Sequence, residues 1–80
     1  MTELGPDESV QLDEVRRQVI AALNLLSPDQ RSILVLRDVQ GLDYEQIADV
    51  LDVAVGTVKS RLFRARVALR ELIEAPEEHD

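Results

Sequence analysis

Between Val55 and Arg66 the chain reads VGTVKSRLFRAR, which gathers Lys59, Arg61, Arg64 and Arg66 around Phe63 at helical spacing. Cations at this density form a site for anions, and a row of them suits the phosphates of a nucleic acid. Five cations, these four and Arg70, and no acid lie between Thr57 and Arg70. The whole chain of 80 residues has a formal net charge of −7, so the remainder carries −12. Such segregation marks a local anion-binding face, while the acidic total argues against indiscriminate binding to nucleic acid.

At about 100° per residue, Val58, Leu62, Ala65, Leu69 and Leu72 form one apolar stripe of a helix. Lys59, Ser60, Phe63, Arg64 and Val67 face the other way, and Arg61 and Arg66 flank the stripe. Each outward side chain has a physical use against DNA. Arg64 can bind guanine through two hydrogen bonds, Ser60 can bond a base edge or a phosphate, and Phe63 can pack on a thymine methyl. Lys59, Arg61 and Arg66 suit phosphate contacts that fix register. Thr57 and the amides near Gly56 lie at the helix start, where unpaired donors and the helix dipole favour an anion. A plain solvated helix would also explain the charges, and an exposed Phe63 would also serve as a packing surface for the first helix or for another protein. Arg37 and Tyr44 are further phosphate candidates from neighbouring elements. Pairing of Arg37 with Asp38 or another surface acid, and a core role for Tyr44 with a wet hydroxyl, are the competing readings.

Catalysis has little to stand on. Glu45, Asp49 and Asp52 share a helical face that reads as solvated. The chain has no cysteine, its one histidine, His79, lies in an acidic tail, and no serine has a visible base. No enzyme, cofactor or metal site is expected.

Four helices are needed to hold this face. Leu12, Val15, Val19, Leu23 and Leu26 recur at helical spacing from about Ser9. SPDQ then starts a second helix: Ser27 caps, Pro28 fits the first position, and Gln30 can close a capping box. That helix runs to about Gln40 and stops at Gly41. Its apolar residues Ile33, Leu34, Val35, Leu36 and Val39 cover more than one buried stripe requires, so either several helices surround it or part of it meets a partner. Asp43 and Gln46 repeat the capping box before Tyr44, Ile47, Ala48 and Leu51, giving a third helix of about two turns. A break at 52–55 separates it from the long fourth helix, which begins near Gly56 and fades near Ala75-Pro76. A short capped helix, a tight break and a longer basic helix describe a helix-turn-helix, with Ala48 small enough to let the two helices cross closely. The expectation is a small all-α, four-helix domain over residues 9–75, with a flexible lead-in at 1–8 and an acidic flexible tail at 76–80.

With 45% hydrophobic and 31% charged residues the chain is neither disordered nor rich enough in turn residues for many strands. Its longest apolar runs are far short of the ~18 residues of a membrane span. A soluble, cytoplasmic protein is expected, without membrane insertion.

The stretch LSPDQRSILVLRDVQGLDYEQIADVLDVAVGTVKSRLFRARVALRELI, residues 26–73, resembles region 4 of bacterial sigma factors of the extracytoplasmic-function group. LSPDQR, LRDVQGLDYEQIA and VGTVKSRLFRAR occur in the family's order and spacing. The resemblance implies a winged-helix-like region 4 architecture without a wing. It implies recognition of the upstream, minus-thirty-five element of double-stranded promoter DNA, with Lys59, Ser60, Phe63 and Arg64 in the groove and Arg61, Arg66 and the helix start on the backbone. It also implies docking on the flap of the RNA polymerase beta subunit, and sequestration by an anti-sigma factor in many members. Two positions depart from the pattern: Ala54 stands where members often have a capping Ser, and Asp52 where they often have Gly. Region 2, which melts promoters, has no counterpart here, so this chain alone is not expected to initiate transcription. The rival readings are the helix-turn-helix output domain of response regulators and quorum-sensing activators, which continues differently after TVK, and a fragment acting mainly as a protein-interaction module for an anti-sigma factor.

Overall fold

A computed structural model describes residues 6–74, with side chains from residue 10 onward. The described residues form helices α1 (Pro6–Leu25), α2 (Pro28–Leu34), α3 (Tyr44–Leu51) and α4 (Val55–Glu74), and a wider π-helical turn, Val35–Val39, continues α2. No strand occurs among them, so the small all-α four-helix architecture stands. Helix α1 begins at Pro6, three residues ahead of the expected folded domain, because proline at a first helical position needs no hydrogen-bond partner. The rest of the expected lead-in, and the tail at 76–80, lie outside the described residues.

Local chemistry sets most boundaries. Ser27 Oγ accepts from the Gln30 amide at 3.3 Å and Pro28 opens α2, although Gln30 does not return the bond of a full capping box. At α3 the box is complete: Asp43 Oδ1 accepts from the Gln46 amide at 2.8 Å, and the Asp43 amide donates to Gln46 Oε1 at 2.9 Å.

The second helix does not run regularly to Gln40. The Gln40 amide donates to the Val35 carbonyl five residues back at 2.9 Å, and the Leu42 amide donates to Leu36 O at 3.0 Å. The wider turn answers the excess of apolar residues. Ile33 and Leu34 enter the core and Val35 and Leu36 are half-buried, but Val39 turns out to solvent. Gly41, at φ 73°, then reverses the chain in a conformation L side chains resist.

The core consists of Leu26, Ile33, Leu34, Ile47, Ala48, Val58, Leu62 and Ala65. Ile33, Ile47, Val58 and Leu62 are fully enclosed, and burying each such side chain contributes about 1.5–3 kcal/mol. Helix α4 packs on α1, α2 and α3. The apolar stripe of α1 is buried only at its C-terminal end. Ala22 and Leu26 are enclosed, but Leu12 and Val15 at the other end of the stripe are exposed. A helix of 20 residues is about 30 Å long and outruns the small body it packs on.

Helix α3 ends in a Schellman motif. The Val53 amide donates to Ala48 O at 3.0 Å and the Asp52 amide to Asp49 O at 3.4 Å, with Asp52 left-handed at φ 56° and ψ 52°. An L residue meets strain there that glycine does not. Asp52→Gly should therefore raise unfolding stability by about 0.5–1 kcal/mol in urea titration; an unchanged or lower midpoint would contradict this account of the turn.

Candidate nucleic-acid interface

Burial of Val58, Leu62 and Ala65 fixes the rotation of α4 about its own axis. Lys59, Ser60, Arg61, Phe63, Arg64, Arg66 and Arg70 are consequently all exposed, and Phe63 is 70% so. Phe63 is not part of the core and so does not serve as a packing surface for the first helix. Val67, expected on the open side, is half-buried.

The face has a centre and two flanks. Gly56, Ser60 and Phe63 follow one another along the middle, small at the start and aromatic further on. On one side Lys59, Phe63, Arg66 and Arg70 border a groove with Tyr44 of α3. On the other, Arg61 and Arg64 border a recess with Asp29, Gln30 and Ile33 of α2. A ridge of short and aromatic side chains between two rows of cations matches a groove floor between two phosphate backbones.

At the helix start, Ala54 O accepts from the amides of Thr57 at 3.0 Å and Val58 at 3.1 Å. The amides of Val55 and Gly56 have no hydrogen-bond partner among the described residues. Gly56 is exposed, and a Cβ placed on it would meet nothing within 4 Å, so packing does not require glycine there. Thr57 is half-buried. Ser60 Oγ donates to the Gly56 carbonyl at 3.1 Å, which leaves its oxygen lone pairs as acceptors facing outward.

Tyr44 is half-buried and organises two cations. The Arg37 guanidinium lies 4.9 Å from its ring centroid and the Lys59 ammonium 5.9 Å. Arg37 also donates from an η nitrogen to Leu42 O at 2.9 Å, so it pairs with a carbonyl and an aromatic face, not with Asp38. Asp38 instead accepts from Arg66 at 3.0 Å across 28 residues of sequence. Sequence spacing carries no sign of a pair so distant. Glu45, Asp49 and Asp52 are exposed, and among the described residues no group of His, Cys, Asp and Glu is gathered to hold a metal ion. Nor is any helix among the described residues long and apolar enough to cross a membrane.

An α3-turn-α4 unit with its second helix turned cationic face outward defines a helix-turn-helix domain. Comparison with known proteins narrows the class: the family model for sigma-70, region 4 matches residues 16–69. The chain belongs to that family. It is 39% identical over 75 residues to the ECF RNA polymerase sigma-E factor of Escherichia coli K12, covering 92% of this chain and 39% of that protein. The same figures hold for the sigma-E factor of Salmonella typhi. Identity to the RNA polymerase sigma-H factor of Pseudomonas aeruginosa is 41% over 70 residues, covering 88% of this chain and 36% of that one. The chain thus spans less than two-fifths of the length of these curated relatives.

Ala54 stands at the N-cap of α4 without a side-chain acceptor. Ala54→Ser should supply one and raise stability by about 1 kcal/mol, read by chemical denaturation; no gain would mean that the helix start is already satisfied.

Proposed function

We propose that this chain is the part of a longer sigma factor that recognises the upstream, minus-thirty-five element of promoter DNA, placing α4 in the major groove. The observation that carries the reading is the outer face of α4, where Ser60 and Phe63 are exposed between one flank of Lys59, Arg66 and Arg70 and another of Arg61 and Arg64. Arg64, Ser60 and Phe63 read base edges with Lys59 beside them. Arg61, Arg66, Arg37 and Tyr44 hold the backbone, and the free amides of Val55 and Gly56, with Thr57 beside them, receive a phosphate. The acidity of the remaining surface repels DNA from other faces, so orientation on the duplex is selected by charge before any base is read.

The same reading assigns RNA polymerase, through its beta flap, to a different surface. Arg31, Ser32, Val35, Leu36, Gln40, Val50 and Leu51 line a groove that includes no residue of α4, and Val39 and Val50 stand exposed. A protein docked there leaves the DNA face free. An anti-sigma factor covering the cationic face instead would block it.

Selection from a randomised pool of duplexes should enrich one short motif; a pool that stays random at moderate salt would sink base recognition. Against the selected duplex, Arg64→Ala should lose about 1–3 kcal/mol of discrimination at one base position. Arg61→Ala should weaken all duplexes alike and flatten the salt dependence. Gly56→Ala separates folding from binding. It should leave the protein as stable or up to about 1 kcal/mol more so while weakening DNA, because its Cβ meets no protein atom but stands where a phosphate approaches. Unaltered affinity would remove the helix start from the interface.

A further inference from the structure

The cations of α4 differ in what already holds them. Among the described residues, Arg66 is the α4 cation in an ion pair: its η nitrogen lies 3.0 Å from Asp38 Oδ1, with the two side chains 45% and 51% exposed. Lys59 rests over an aromatic ring, which leaves its charge unneutralised. Arg66 is seven residues beyond Lys59, two turns or about 10 Å along the same side of the helix. Both border one groove with Tyr44 and Phe63. A strand lying along that side passes both cations, and at Arg66 it finds a carboxylate in place.

Asp38 reaches Arg66 from the π-helical turn, in which the adjacent Arg37 is fixed to Leu42 O and the Tyr44 ring. The turn is thereby anchored beside α4 and holds the carboxylate there. Resting on the promoter-binding reading above, we propose that Asp38 is an intramolecular competitor of DNA phosphate for Arg66. One guanidinium exchanges a carboxylate for a phosphate, so binding at Arg66 releases less counterion than binding at a free cation. The exchange involves no base. It lowers affinity for every duplex by the same factor and leaves discrimination between sequences unchanged.

The test compares Asp38→Asn with the unaltered chain on two probes, a duplex selected from a random pool and its scrambled version, across a salt series. Equal thermal unfolding of the two proteins is expected, since a half-exposed pair adds little stability. Asp38→Asn should bind both duplexes about threefold to fivefold more tightly near 0.1 M salt, with the salt slope steeper by about 0.9. In an Arg66→Ala background the same change should gain no more than Asp49→Asn, which removes an exposed acid outside the groove. Weaker binding by Asp38→Asn would mean that Asp38 orients Arg66 for phosphate, and would overturn the proposal. So would an unchanged slope, or a gain that survives Arg66→Ala. Failure of the unaltered chain to bind either duplex would overturn the promoter-binding reading itself, a result distinct from any of these.

Discussion

Enclosure of Val58 and Leu62 against Ile33 and Ile47 is the constraint on which the rest of the molecule depends. These four are the largest of the fully buried side chains, and they come from α2, α3 and α4. Once they meet, α4 can neither rotate nor slide without exposing apolar area worth several kcal/mol. Ala65, fully buried, and Ala48, nearly so, contribute by being small, which lets α4 lie close to its neighbours. The direction in which Ser60, Phe63 and Arg64 point is therefore a property of the core. Loss of core packing would turn this face before it altered any residue on it.

Electrostatics acts on top of that geometry. The acids of the scaffold are not remote from the cations they oppose: Asp29 shares a recess with Arg61 and Arg64, and Asp38 is paired with Arg66. The π-helical turn is the structural means for the second of these. By widening one turn it sends Val39 out to solvent while Arg37 reaches Leu42 O and Tyr44. Irregular turns of this kind recur at functional positions, because an inserted residue re-aims its neighbours without breaking the helix. Here the re-aimed residues are a cation and an acid, the first set against Tyr44 and the second against Arg66.

What the sequence made legible was local. The capping box of Asp43 and Gln46, Ser27 before Pro28, and the spacing of Val58, Leu62 and Ala65 act over three to seven residues, and each appears in the structure as read. So does the outward set of α4, apart from half-buried Val67. Interactions between distant segments were not legible. The pairing of Asp38 with Arg66 spans 28 residues, and Arg37 found a carbonyl and a ring where adjacent Asp38 had been the obvious partner. On α1 the same holds: periodicity shows which face is apolar but not how far a neighbour extends to cover it, and Leu12 and Val15 are exposed. The family match over residues 16–69 adds what neither local pattern nor packing contains, membership of the sigma-70 region 4 family.

The central claim is that the outer face of α4 is the surface that reads DNA. Amide chemical shifts followed by NMR, while the selected duplex and then its scrambled version are titrated into the chain, test it most directly. The account predicts that the selected duplex shifts Gly56, Ser60, Phe63 and Arg64 most, with Arg37 and Tyr44 following, and that the scrambled duplex moves mainly residues carrying the flanking cations. Shifts centred on the groove of Val35 and Val50 or on α1, or the same pattern with both duplexes, would contradict it.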